Sequence, residues 1–467
     1  MHDGSDQPPV IGPSMALSAR RRGLDAGQGI AAAACLGILA LSLLTAPRLA
    51  ALGLMHGFWL LFLIAALWRV AAVAISRLPA ALPAPPPDLP PYAVIAALRH
   101  EAAMAPQLVD RLSRLDYPAD RLRGFLVIEA DDGDTIAAAR ACPRPDWLSV
   151  LVAPPGDPMT KPRALNVALS RIGEGLVTVY DAEDEPDPGQ LREAAARFAS
   201  GGARLACLQA PLRIRPPADP ARRRPFLDRQ FAAEYAALFE VILPAMARLG
   251  LPFPLGGTSN HFRVDVLRQI GGWDPWNVTE DADLGFRLWR CGWRLGVMSA
   301  PTWETPPGGL DAWLPQRARW LKGFMQTWLV HMRRPLALGW RGLLSLHLTL
   351  GVALVSAAVH AFALMLVVAL SLGALSAGLW PAAPPMALLV LVVGAASSWL
   401  AARVGSRRAG MTYSLSDMLA APLYWSMLSL AFAHALWRLI RQPFAWDKTP
   451  HTPDDPGDHH RTGRQAA

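Results

Sequence analysis

Formal charge is scarce in this chain: Asp, Glu, Lys and Arg make up 18% of its 467 residues, against about 25% in an average soluble domain. That shortage argues against a wholly soluble protein, and the mean hydropathy of +0.23 agrees. Cysteine is also rare. The four present (Cys35, Cys142, Cys207, Cys291) are far apart and form no CxxC pair, which excludes a zinc site or a disulfide framework and suits a reducing compartment. Gly and Pro are plentiful but follow no period, so collagen and repeat arrays are excluded. Basic residues exceed acidic ones by 45 − 37 = 8. In an apolar chain that excess marks cytoplasmic faces and anionic headgroups rather than nucleic acid.

The apolar surplus lies at the two ends. Residues 26–47 and 49–68 contain no Asp, Glu, Lys or Arg, and neither does the stretch 343–400. Spans of about 20 apolar residues cross a hydrocarbon core as helix, which predicts spans at 26–47, 49–68, 343–372 and 385–404. Residues 418–437 make a fifth candidate. Arg20, Arg21 and Arg22 precede the first span and Arg403, Arg407 and Arg408 follow the fourth, so basic residues place the N-terminus and residues 76–342 in the cytoplasm. A crossing at 418–437 would then export Arg438, Arg441 and Lys448; with Pro422 inside it, this segment can instead lie in the interface. The arginine cluster also resembles a secretory signal, but a second span follows it rather than a cleavage site.

The expected organisation is a cytoplasmic tail at 1–25, two membrane helices within 26–75, and a stiff linker at 76–91, where seven of the thirteen positions from 79 to 91 are Pro. A catalytic domain over 92–305 and interfacial helices over 306–342 follow. The membrane region then spans 343–440, with two or three crossings, and a polar tail spans 441–467. Within the middle region, strand-length apolar runs at 92–98, 123–128, 147–152 and 175–180 alternate with helical patterns at 104–115, 134–142 and 161–172. This predicts βαβ units and a mostly parallel sheet, with ligands beyond the carboxyl ends of the strands.

Acidic residues gather at those ends. Glu101 follows the first strand, Asp131 and Asp132 the second, and Asp181-Ala182-Glu183-Asp184-Glu185 the fourth. Crowded carboxylates suit a divalent metal that carries a diphosphate; a solvated acidic turn would read the same way. Thr279 is placed to cap a helix that Glu280, Asp281 and Asp283 begin. Gln316, Arg319 and Trp320 fall at i, i+3 and i+4, on one helix face, where they can hold a diphosphate and stack a sugar ring, or face lipid headgroups.

The ordered set of the 181–183 cluster, Thr279-Glu280-Asp281 and Gln316-x-x-Arg319-Trp320 resembles membrane-embedded family 2 glycosyltransferases of the cellulose- and hyaluronan-synthase type. The stretches GGTSNHFR (256–263), NVTEDADLG (277–285) and FAWDKTPH (444–451) resemble a bacterial exopolysaccharide-synthase branch. The resemblance implies an α/β glycosyltransferase-A domain inserted between transmembrane helices, using a nucleotide-sugar donor, usually a UDP-sugar, and a divalent Mg or Mn ion. By position it implies that Asp281 is the general base. Glu101, Asp131, Asp132, Lys161, Asp181, Gln316 and Arg319 would bind the donor, Trp320 the acceptor, and Asp181 with Glu183 the metal. Glu183 replaces the family's commoner Asp, with Asp184 beside it as a rival ligand. Gly256-Gly257-Thr258 stands where cellulose synthases carry a Cys before Gly-Ser, which argues against cellulose itself.

The expected activity is inverting transfer to a growing β-linked polysaccharide at the bacterial inner membrane, with the bilayer as a partner and envelope export proteins as candidate partners. No nucleic acid partner is expected. The alternatives are single-sugar transfer to a lipid acceptor and an inactive membrane scaffold.

Overall fold

The computed structural model describes residues 12–77, 82–217, 224–378, 385–445 and 453. Parts of the Pro-rich linker, of the turn at Trp380-Pro381 and of the polar tail, and the FAWDKTPH motif beyond Ala445, fall outside these residues.

Ten strands form two sheets: β1 (Tyr92–Leu98), β2 (Leu122–Glu129), β3 (Leu148–Ala153), β4 (Leu176–Tyr180), β5 (Glu185–Pro186), β6 (Leu205–Gln209), β7 (Leu212–Ile214), β8 (Asn260–Arg263), β9 (Arg294–Val297) and β10 (Thr302–Glu304). The large sheet runs β3-β2-β1-β4-β8-β6-β9, and the small one β5-β10-β7. In the large sheet β8 runs antiparallel to both β4 and β6, while the other pairs are parallel. Both faces are covered by helices, so β1 buries Ala93 and Ile95 in one core and Val94, Ala96 and Leu98 in another. That two-sided burial is why β1 reads as an unbroken apolar run. The fold is of glycosyltransferase-A type.

Helices Ala26–Thr45 and Pro47–Ile75 precede this domain. Three further segments are long and apolar enough to cross a membrane: Pro335–Gly373, Pro385–Arg408 and Leu415–Arg441. The chain is a membrane protein. Of the last three, Leu415–Arg441 behaves differently. At its start, Arg229 Nε donates to Asp417 Oδ1 at 2.7 Å and Gln230 Nε2 to the Asp417 carbonyl at 2.8 Å. Just past its end, Lys322 donates to the Ala445 carbonyl at 2.7 Å and Gln326 to the Pro443 carbonyl at 2.9 Å. All four donors belong to the catalytic region. A helix crossing a core of about 30 Å would carry one end away from it.

Leu415, Leu419, Leu423, Leu430, Trp437 and Ile440 are exposed, and at 100° per residue they form one stripe. Ala421, Tyr424, Ala431 and Ala435, on the opposite face, are buried. Pro422 is accommodated inside this helix.

The described part of the N-terminal tail is bonded to the rest of the chain. Ser18 Oγ and the Ala19 N–H donate to the two carboxylate oxygens of Asp274 at 2.9 and 2.6 Å. Arg333 donates to the carbonyls of Ser18 and Arg21 at 2.8 and 2.7 Å. Asp274 is fully buried, and burial, reinforced by the charge of Asp283, pushes its pKa from 3.8 up to about 6. A carboxyl whose pKa is raised on folding favours the folded state most while protonated, and that advantage is lost as pH rises through the raised value. Between pH 4 and pH 7 the stability of wild type relative to Asp274→Asn is therefore expected to fall by about 2 kcal/mol. Thermal denaturation of both proteins across that range checks this; a difference that does not move with pH would refute it.

Candidate active site

The loops after β1 and β2 are bonded to each other. Asp132 caps the helix Gly133–Ala141 by accepting from the Thr135 N–H at 3.3 Å, and its other oxygen accepts from the His100 N–H. These bonds outweigh burial and hold its pKa below the ordinary range. Thr135 Oγ1 accepts from the Glu101 N–H at 3.0 Å, and Glu101 is buried. Asp131 is half-exposed and pairs with Arg99 at 3.1 Å. Of the three expected donor-binding acids here, Asp131 offers its carboxylate most openly, whereas Asp132 is already engaged in shaping the loop.

The acidic turn after β4 is more closely built. The Asp181 N–H donates to Asp184 Oδ2 at 2.7 Å, and the Thr258 hydroxyl donates to the same oxygen. Asp184 is fully buried, and burial together with Asp181 and Glu183 raises its pKa well above the ordinary carboxylate range. Asp184 therefore fixes the turn, which leaves Glu183 as the better second ligand of the two. Lys161, the first residue of the helix Lys161–Leu169, places Nζ against Asp181 Oδ1 and donates to the Gly257 carbonyl at 2.7 Å.

Asp281 comes to the same glycine. A Cβ on Gly257 would lie 3.3 Å from Asp281 Oδ2 and 3.9 Å from Asp181 Oδ2. The two carboxylates thus converge on a cradle that a single methyl would fill. Burial raises the Asp281 pKa, opposed by the Ala282 N–H and by Lys161 and Arg319. Neighbouring Glu280 is buried too and is raised by burial and by Asp281. Thr279 departs from expectation. It occupies the cap position of helix Glu280–Arg290, but its side chain makes no capping bond. Instead it packs against Gly323, where a Cβ would meet Thr279 Oγ1 at 2.3 Å. The missing side chain at 323 lets the next helix approach closely.

That helix, Leu310–Met332, carries Gln316, Arg319 and Trp320. Arg319 Nη1 lies 3.4 Å from the Val278 carbonyl, and the guanidinium acts on Asp281 and Glu280. Gln326 Oε1 accepts from the Val278 N–H at 3.1 Å, and Asn277 Nδ2 donates to Thr327 Oγ1 at 3.0 Å. Gln316 Oε1 is shielded from solvent and accepts no hydrogen bond from the described residues.

The Trp320 ring has the Arg317 guanidinium 4.5 Å from its centroid and Tyr235 stacked at 6.0 Å. Arg317 is itself held by Glu234 at 3.0 and 2.6 Å and by the Tyr424 hydroxyl at 2.8 Å.

Lys161, Asp181, Asp281 and Arg319 are thus brought into one group, with Glu101, Asp131 and Asp132 placed along the neighbouring strand ends. Three residues escaped sequence reasoning. Glu280 and Arg317 lay inside recognised motifs without a role. Glu304 ends β10, and the charges of Asp184, Glu183 and Asp181 raise its pKa further after burial. A strand of three residues leaves no periodic signal, so Glu304 could have been noticed only as a lone acid between Trp303 and Pro306.

Among the described residues no three His, Cys, Asp or Glu side chains converge tightly enough to hold a metal alone. Asp181, which already draws a cation at the cradle, and Glu183 of the same acidic turn are hard oxygen donors of the kind that suit an ion completing its shell with phosphate oxygens. Asp181 and Glu183 would hold it.

This architecture and site are those of a glycosyltransferase. A family model described as "Glycosyl transferase family group 2" matches residues 176–446, and the chain belongs to that family as a glycosyltransferase. It is 28% identical over 293 residues to the beta-monoglucosyldiacylglycerol synthase of Synechocystis sp., covering 59% of this chain and 58% of that one. It is 24% identical over 258 residues to the cellulose synthase 1 catalytic subunit of Komagataeibacter xylinus, covering 55% and 34%. The probable glycosyltransferase YdaM of Bacillus subtilis is 22% identical over 248 residues, covering 50% and 56%. The chain thus spans at most about six-tenths of these relatives. A similar fold occurs in the mannosyltransferase PcManGT from Pyrobaculum calidifontis, solved in complex with GDP-Man and Mn2+. The TM-score is 0.54 at 19% identity, over 81% of this chain and 95% of that one.

Proposed function

We propose that the chain is an inverting glycosyltransferase that moves a sugar from a UDP-sugar to a growing β-linked polysaccharide at the cytoplasmic face of the bacterial inner membrane. The observation that carries this is the convergence of Asp281 and Asp181 on Gly257, between Lys161 and Arg319. Asp281 takes the proton of the acceptor hydroxyl as that oxygen attacks the anomeric carbon. The glycosidic C–O bond to the diphosphate breaks on the opposite side, and the electron pair leaves with the phosphate oxygen. Lys161 and Arg319 stabilise that charge, and a divalent metal at Asp181 and Glu183 would add to it. Glu101, Asp131 and Asp132 hold the nucleoside, and Gln316 offers its buried amide to the donor. Trp320, braced by Arg317 and Tyr235, presents an aromatic face to the acceptor sugar. A single displacement inverts the anomeric centre.

Orientation follows from helix Leu415–Arg441. With both ends on the catalytic region and one apolar stripe outward, it lies in the membrane interface. Four crossings remain, and both ends of the described chain sit on the side of the catalytic domain, where nucleotide sugars are made. The arginine clusters agree.

Transfer of one sugar to a lipid is the second reading. It is favoured by the similarity to the Synechocystis synthase, whose name specifies a diacylglycerol glycoside and which matches more of this chain than the cellulose synthase does. Inside-out and right-side-out vesicles supplied with a panel of radiolabelled UDP-sugars test all of this. Inside-out vesicles are expected to make a polymer that elutes in the void volume on gel filtration. A short organic-soluble product would install the lipid reading, and labelling by right-side-out vesicles alone would overturn the orientation.

A further inference from the structure

A cation already stands on Asp181. The ammonium of Lys161 donates to Asp181 Oδ1 and to the Gly257 carbonyl, on the same glycine across which Asp281 faces Asp181. Its side chain is only 14% exposed, so bulk water does little to screen it.

We propose that Lys161 is an internal counterion at the metal position of the donor site, and that a divalent metal binds firmly only once a nucleoside diphosphate draws this ammonium off Asp181. The inference rests on the metal-assisted reading above. A hard divalent ion takes carboxylate oxygens at about 2.0–2.6 Å. An ammonium hydrogen-bonded to the same carboxylate would then face the ion at close range in a site with little water, and the two would repel. Among the described residues no three acidic side chains converge to hold the ion in spite of that repulsion.

A lysine ammonium has three donors on a flexible stem, and two are engaged here. A diphosphate supplies several anionic oxygens within the same cluster, so it can accept those donors as Asp181 is released. Metal and diphosphate then strengthen each other's binding by one common factor. Lys161 thus acts in two positions, on Asp181 before the donor arrives and on the leaving phosphate afterwards.

The test is Mn2+ binding to the purified full chain in detergent, measured by electron paramagnetic resonance with and without UDP, so no turnover is needed. Wild type is expected to bind Mn2+ weakly alone and about 5–150-fold more tightly with UDP, the usual range for coupled sites. Lys161→Met is expected to bind Mn2+ alone more tightly than wild type, with a smaller gain on adding UDP. Lys161→Arg retains a cation and should stay weak. Lys161→Gln repeats the neutral test if the Met variant does not fold. The proposal is overturned if UDP tightens Mn2+ on wild type but neither neutral variant binds Mn2+ alone more tightly. If wild type binds no Mn2+ even with UDP, the metal-assisted reading itself fails, and the proposal with it.

Discussion

Asp281→Asn is expected to lower sugar transfer by about 10²–10⁴-fold, or roughly 3–5 kcal/mol in the barrier, with little change in folding. The reason lies in what the substitution keeps. Asp281 Oδ1 accepts from the Ala282 N–H at 2.7 Å, and the amide oxygen of Asn can continue to do so. It loses the ability to take a proton from the acceptor. The raised pKa of Asp281 adds a pH signature, since the base works only when ionised. Wild-type turnover should therefore begin to fall, as pH is lowered, at a higher pH than an ordinary aspartate would give. Steady-state turnover, UDP affinity and thermal denaturation of the variant separate these effects. Retention of more than about a tenth of wild-type turnover, a loss below the bottom of that range, would move the base to Glu280 or Glu304.

Two positions along the same helix the consequence is the opposite. Asp283 is fully buried, bonded to Arg287 Nε at 2.5 Å and to His331 Nε2 at 3.0 Å, and both partners are buried as well. Despite burial, these partners hold its pKa below the ordinary value, so it stays charged to low pH. Asp283→Ala would leave the Arg287 guanidinium buried without its counterion, and removing one partner of a buried pair costs about 3–5 kcal/mol. The variant is expected to lose about that much in stability, while the fraction that remains folded keeps its chemistry. Chemical denaturation of the two proteins provides the comparison. A loss below about 0.5 kcal/mol, the range of ordinary surface substitutions, would show that the pair does not hold the helix to Leu310–Met332. Asp283 is accordingly a brace rather than a second candidate for the base.

The contrast between these two aspartates marks how far sequence reading reached. Four parallel strands and their helices were legible because three of the strands are almost wholly buried and the fourth, at the sheet edge, is still an apolar run between turn signals. The remaining strands were not. β8 lies within GGTSNHFR, which reads as a motif, and its pairing with β4 and β6 joins segments more than fifty residues apart. Asp281 and the Gln316, Arg319 and Trp320 face were found through resemblance and helical spacing. His331, which fixes Asp283, lies 48 residues from it along the chain, beyond any local pattern. Thr279 looked like a cap because its type and position suit one, but tertiary packing against Gly323 uses the side chain differently. Hydropathy could not separate crossing from lying flat at 418–437. That helix is apolar on both faces, one turned outward and the other packed on protein.

The in-plane placement proposed for Leu415–Arg441 would change what the bilayer can do to this enzyme. A crossing helix answers to thickness through hydrophobic mismatch. One lying at the headgroup boundary answers to lipid packing, curvature and surface charge. Its inward face holds Tyr424, which bonds Arg317 under the Trp320 ring. Lateral pressure on the outward stripe of that helix would then be only two side chains away from Trp320, and turnover in vesicles of different curvature or packing would become a property of the lipid as much as of the protein.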